Sequence, residues 1–486
     1  MLRQLTILTI TVFSLQAMAA EGSFGFLSGQ QDLQAKVQSG NFRGALSVWE
    51  ETTRSTAFAE TQTGVATWAY LLYQNGMPYT ALNTLISQTQ PSAIDSELLK
   101  AWTVELKNSP IIQKGWILTA GGWKSIVDNS PLSIRIKNKS DINKAFSRAN
   151  SVAAAQVNQK ARILWQIATQ APLIGEVDSA VRALKLMKES GQTVIGQDEL
   201  AITQGRVLYQ KKDLLAAIES YSQVPKSSSL WMDSVEERAW AHLRRDDFDQ
   251  ALGVVTTSLS SALAPLAGPE SFFLANLMAF KACDYPRVFN NSETFKKRHR
   301  SRLAAIQELA SKGSNDKINE VFARFEKDGV SQESAGALVE FAPRGLVRDR
   351  EFVRTMESRR QILSEVAKAA ELVKTPSARL NATLSFEKAQ ADRFKQQASK
   401  CAVTLAAADL KEYKVVLNKM HIIEGEIIER LHMDDNLKGE RGKLSKTDDA
   451  GDVLVFPVVG EEVWMDELDN YKARVKDCPT LKKASL

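Results

Sequence analysis

The chain has 486 residues, with 62 lysines and arginines against 57 aspartates and glutamates, a formal net charge of +5. That length suits about three ordinary domains or one extended repeat array, with apolar residues enough for a sizeable core and no long biased tract. So small a net charge excludes a strong nucleic-acid inference and permits weak attraction to anionic surfaces.

Residues 1–4 carry one positive charge, residues 5–15 are apolar but for Thr and Ser, and Ala17-Met18-Ala19 supplies a small-x-small pattern. This is the layout of a secretory signal peptide over residues 1–20, too short to persist as a spanning helix. Cleavage is expected at Ala19 and Ala20. No Cys stands there to take a lipid, and no later run approaches the roughly 18 continuous apolar residues of a membrane span. The expectation is an exported protein, periplasmic or secreted, without a transmembrane anchor.

Further along, the chain matches itself. "SGNFRGALSVW" (39–49) aligns with "NGMPYTALNTL" (75–85) at an offset of 36, bringing Gly40 onto Gly76 and Ala45 onto Ala81. "EVDSAVRAL" (176–184) is another copy. The strongest match joins "GRVLYQKKDLLAAIESY" from Gly205 to "AWAHLRRDDFDQALGVV" from Ala239, where every offset is 34. Two helices of about a dozen residues plus turns make up such a period. Where helices touch, side chains must be small, which accounts for Gly205, Ala217, Ala239 and Ala251; Tyr221, Phe248 and Leu252 fill the spaces beside them. "ACDYPRVF" (282–289) then places Asp284-Tyr285 where Asp247-Phe248 stood.

The period, the small residues and the Asp-aromatic-x-x-Ala turn resemble the tetratricopeptide repeat (TPR) family over roughly residues 30–310. The resemblance implies an all-α fold, a TPR-like α-solenoid of antiparallel helix pairs over residues 21–345, with a concave groove that binds a helix or peptide. Val288 in place of the small Ala, and Pro78 at the aromatic position, depart from the family pattern. The first helices would line the groove, which makes Arg206, Tyr209, Trp240 and Leu243 the candidate binding residues. Residues 244–247, two Arg and two Asp, read as a solvated turn in which Asp247 caps the helix starting at Phe248. His242 has no partner cluster in the sequence.

Residues 101–150 are harder to place: the stretch from Gly115 to Pro131, "GWILTAGGWKSIVDNSP", holds two Trp, breaks any clean helix and reads as an insertion lining a binding face, and "PLSIRIKN" alternates like a short strand or a loop. "FKKRHRSR" (295–302) reads as a solvated helix face. From 346 to 437 the chain is rich in Ala, Leu, Lys, Glu and Arg, and Pro376 divides it into a helical hairpin or coiled-coil-like region. Its second stretch carries a and d spacing interrupted by Glu387. A homodimer seam over 378–431 is the runner-up. A polar linker (438–452) leads to a C-terminal tail (453–486) with a short strand, "VLVFPVV", and a helix. The tail is expected to fold back and bury Phe456, Trp464 and Tyr471, with docking on another protein as the alternative.

Three cysteines are too few for a disulfide framework. Cys283 reads as buried and inert, leaving Cys401 and Cys478 as the pair for a bridge. His421 and His432 share a helix face but lack the spacing of a metal site, so neither metal nor cofactor is expected. Bacterial lytic transglycosylases also place a helical superhelix before a catalytic domain, and Gln332-Glu333-Ser334 is similar to the context of their catalytic acid. The Gly-Leu-Met-Gln motif of that family is absent. A cell-wall glycan enzyme or binder with Glu333 as acid is therefore the alternative. The main expectation is a non-catalytic scaffold or adaptor of the bacterial periplasm or cell envelope, with protein partners and no nucleic acid.

Overall fold

A computed structural model describes residues 24–127, 135–153, 156–264, 267–372, 377–433 and 468–471. Those residues are all-helical, with no strand among them. The helices begin with α1 (Gln31–Gln38), α2 (Phe42–Glu51), α3 (Gln62–Gln74), α4 (Pro78–Gln88), α5 (Ser96–Asn108) and α6 (Pro110–Gln113). Then come α7 (Lys139–Ser151), α8 (Val157–Gln170), α9 (Val177–Glu189), α10 (Gln197–Gln210), α11 (Leu214–Ser222), α12 (Trp231–Arg244) and α13 (Phe248–Ser258). The last are α14 (Pro269–Lys281), α15 (Tyr285–Lys312), α16 (Asp316–Asp328), α17 (Gln332–Ala335), α18 (Arg350–Leu372) and α19 (Ala378–Met433).

One turn recurs between consecutive helices. Gly40, Gly76, Gly175, Lys212, Asp246 and Cys283 all have positive φ, between 56° and 83°. In each case the next amide reaches back five residues: Asn41 to Lys36, Met77 to Leu72, Glu176 to Ala171, Asp213 to Leu208, Asp247 to His242 and Asp284 to Ala279. This six-to-one bond closes the preceding helix by a Schellman motif. The residue that follows the left-handed position often caps the next helix. Asn41, Asp213 and Asp247 accept from the backbone N–H of Gly44, Ala216 and Gln250. Asp247 thus caps α13, and its equivalent 34 residues earlier, Asp213, caps α11. Met77 has no capping side chain, so Pro78 opens α4 with no amide to satisfy, and the next two amides find a partner far along the chain.

The described residues fall into two compact units, each discontinuous in sequence. One takes those within Met1–Pro131, Lys312–Val339 and Gly345–Thr404. Its core gathers Trp49, Trp68, Trp102 and Trp123 with Ile362, Ala369, Leu380 and Ala391 of α18 and α19. There the Glu365 carboxylate accepts from the amides of Tyr79 (2.7 Å) and Thr80 (2.8 Å), replacing the missing cap of α4. Glu387, which interrupts the apolar pattern of α19, is 1% exposed and accepts from Asn83 Nδ2 at 2.8 Å. Trp123 is fully buried and donates to the Thr89 carbonyl, so this Trp belongs to the core, while Trp116 is half-buried and Leu118 exposed.

The other unit takes the described residues within Leu132–Ser311, Glu340–Arg344 and Leu405–Leu486. Ala217, Ala239 and Ala251 are buried to 1% exposure or less, and a Cβ on Gly205 would lie 2.5 Å from the Tyr221 ring. Small residues therefore sit where α10, α11, α12 and α13 approach one another. Arg344 lies between Asp233 (3.7 Å), Glu236 (3.5 Å) and Glu412 (2.8 Å), and its amide donates to Asp409. Arg302 bonds the same Asp409 carboxylate and the Glu340 carbonyl. Burial raises the Glu236 carboxyl to about 7 despite Arg344 beside it.

Two sequence readings change here, the basic run and the cysteine pairing, while the burial expected of Tyr471 is found. Residues 135–137 are irregular, the loop of the two alternatives, and 128–134 lie outside the described residues. The basic run is not a simple solvated face, because Arg302 and His299 are buried while Lys296, Lys297 and Arg300 are exposed. Leu468 and Tyr471 are buried in the core of α10–α14, where Leu468 accepts from Lys226, Asp469 pairs with Arg238, and the Asp469 amide donates to Thr257. The strand reading at 453–459, the linker, Phe456, Trp464, Ala19 and Ala20 all lie outside the described residues. Finally, Cys401 is a free thiol and Cys283 is disulfide-bonded, so the expected Cys401–Cys478 bridge is not the one formed. Cys401 sits half-buried on α19, whereas Cys283 occupies the turn before α15; Cys478 lies outside the described residues.

Candidate functional site

A cavity of about 520 Å³ opens between α10, α11, α12 and α14. It is lined by Arg206, Tyr209, Gln210, Tyr221, Glu237, Trp240, Arg244 and Glu270. Three of the four candidate residues, Arg206, Tyr209 and Trp240, are brought together there. The fourth, Leu243, is 9% exposed and packs in the core. The 34-residue offset equates Leu243 with Tyr209. A Tyr carries its polar end to the cavity, whereas Leu has no polar end and is covered.

The charges of the cavity are largely arranged within it. Arg206 grips Glu237 through two nitrogens, Nε at 2.9 Å and Nη2 at 2.6 Å from Oε1. Burial opposes the Arg206 charge, but the Glu237 carboxylate overrides it and holds the guanidinium above its usual value. Burial, then Glu237, pushes the Tyr221 hydroxyl up, which keeps it protonated as a donor. Trp240 lays its ring 5.9 Å from Phe273 and donates Nε1–H to Glu270 at 3.1 Å. It is both packing and lining. Arg244 is exposed, with its guanidinium 4.6 Å from the centre of the Tyr209 ring.

Such a surface offers aromatic faces, two exposed guanidinium groups, of which Arg206 is paired with Glu237, and fixed carboxylates. The lining combines two tyrosines and a tryptophan with two carboxylates and two guanidinium groups. Sequence reading missed Gln210, Tyr221, Glu237, Arg244 and Glu270. Two of them carried a signal, since Gln210 and Arg244 stand at equivalent places one repeat apart. The other three come from different helices and had none.

The remaining candidates fall elsewhere. Glu333 is exposed on the four-residue α17, behind its cap Ser331, which is not the enclosed setting that keeps a glycosidic acid protonated. His421 and His432 are exposed, and no group of three metal-ligating side chains occurs among the described residues. His242 does have a partner, Asp247 Oδ2 at 3.2 Å, although burial lowers its pKa. His299, unremarked in the sequence, packs among Phe272, Phe295 and Tyr413, accepts or donates at the Tyr413 hydroxyl, and is held near 4 by burial and by Arg302, Arg298 and Arg344. No helix among the described residues is long and apolar enough to cross a membrane. No protein-family model, curated protein or solved structure matches the chain.

Proposed function

We propose that this chain is a non-catalytic interaction scaffold or adaptor of the bacterial periplasm or cell envelope. In this reading the helix pairs stack as a TPR-like solenoid, and the cavity of α10, α12 and α14 receives a helix or extended peptide from a protein partner. The supporting observation is the convergence of Arg206, Tyr209 and Trp240, residues chosen by repeat position alone, on one aromatic-lined cavity. Its volume of about 520 Å³ suits one or two side chains of a peptide. The signal-like residues 1–20 support export, and the aromatic faces of the lining support binding of a peptide.

Site-specific photocrosslinking in envelope preparations tests the reading. A crosslinker at Gln210, exposed at the cavity, should capture a discrete partner, and Trp240→Ala should abolish the product. The same group at Glu219, exposed on α11, serves as control. Equal labelling from both positions, or labelling indifferent to Trp240→Ala, overturns the proposal.

A further inference from the structure

The C-terminal half of α19 has two lines of side chains. Its inner line, Tyr413, Val416, Met420, Ile423 and Ile427, is buried against residues from α14 and α15. Its outer line, Lys411, Val415, Asn418, Ile422, Gly425 and Glu429, steps by alternating four and three residues and is exposed throughout. That alternation keeps all six on one stripe, in the manner of a helix–helix seam. Val415 is 44% and Ile422 69% exposed. Single exposed apolar residues are ordinary, but these two stand seven apart on the same stripe.

The polarity of the stripe identifies what covers it. Lys411 stands towards its N-terminal side and Glu429 towards its C-terminal side, both exposed, and the same alternation runs on to exposed Ala408 and His432. A second identical helix laid parallel would oppose like charges at both ends. Laid antiparallel, it sets Lys411 of each copy against Glu429 of the other. The same register places Val415 opposite Gly425 and Asn418 opposite Ile422, each twice. A Cβ at Gly425 would meet nothing within 4 Å, so the glycine leaves an open notch where the other copy's Val415 arrives. A self-complementary patch related by a two-fold axis is what a closed dimer requires.

We infer that the outer face of α19 from Lys411 to Glu429 is a homodimer seam that pairs antiparallel with the same face of a second copy of this chain. The stripe runs for about 27 Å, short of a large obligate interface, so the dimer is a weak, concentration-dependent one. The seam lies on the outer side of α19, and the proposal does not rest on the cavity reading.

Sedimentation equilibrium of the full chain, from about 1 to about 200 µM, reads the monomer–dimer balance. Ile422→Glu should leave only monomer while the circular dichroism spectrum is unchanged, since the side chain is exposed. Lys411→Glu and Glu429→Lys should each weaken the dimer about tenfold, and the two together should restore it. A chain that stays monomeric throughout overturns the inference. So does a dimer indifferent to Ile422→Glu, or one that the double charge swap fails to restore.

Discussion

Replacing Gly205 by Ala sets two effects of opposite sign against each other. Gly205 lies inside α10, where Ala is favoured over Gly by about 1 kcal/mol, so propensity alone makes the variant more stable. The added methyl, however, starts 2.5 Å from Cε1, 2.6 Å from Cδ1 and 2.9 Å from Cζ of Tyr221. Ordinary carbon contacts begin at about 3.5 Å, so the ring or the helix must withdraw by about 1 Å. Tyr221 is 2% exposed and belongs to the α10–α14 core, which leaves it little room to move. Overpacking of this kind costs about 1–3 kcal/mol, and after subtracting the propensity gain of about 1 kcal/mol the variant loses about 0–2 kcal/mol where Gly425→Ala gains. The assay is urea unfolding followed by circular dichroism, comparing midpoints at constant slope. Two companions isolate the cause. Gly425→Ala, on an open helix face, should stabilise by about 1 kcal/mol when measured below dimerising concentrations. Gly205→Ala in a Tyr221→Val background should recover that gain. If Gly205→Ala by itself stabilises as Gly425→Ala does, the close nesting of α10 on α11 is refuted.

Burial, helped by Glu365, lifts the Glu387 carboxyl from 4.5 to about 7 even though Asn83 donates to it, and its Oε2 has no hydrogen-bond partner. An acid raised on folding contributes stability that is complete below its unfolded value and disappears as pH rises to the folded one. Relative to Glu387→Gln, the wild type should therefore lose about 3 kcal/mol between pH 4.5 and 7, and a difference that does not vary with pH contradicts this. Lys212 holds a φ of +69° at the turn where Gly40 and Gly76 stand in earlier copies. Lys212→Gly should raise the unfolding free energy by about 0.5–1 kcal/mol, and an unchanged or lower midpoint would count against the strain. Alkylation under native, non-reducing conditions followed by peptide mapping should label Cys401 and spare Cys283; label on Cys283 would show that its disulfide is absent.

Much of the local architecture was legible because its causes are local. The 34-residue offset equated Asp213 with Asp247, and both cap the helix that follows a left-handed residue. The small residues at 205, 217, 239 and 251 marked helix contacts for the same reason, since a Cβ too many is a short-range clash. The cavity was half legible. Repeat position brought Arg206, Tyr209 and Trp240 forward, yet it promoted Leu243, whose side chain the core takes up. Position along a helix does not settle whether a side chain ends in solvent or under its neighbour.

By itself, the order of residues determined where helices start and stop, because capping, turn geometry and apolar spacing act over a handful of positions. Only the tertiary structure decided which distant groups meet. Glu365 caps α4 from 286 residues away, Arg344 is held among carboxylates from two other helices, and Cys283 rather than Cys401 is the bonded thiol. A buried charge or thiol takes whichever partner packing brings within reach, and that reach is set by the folded backbone, not by separation along the chain.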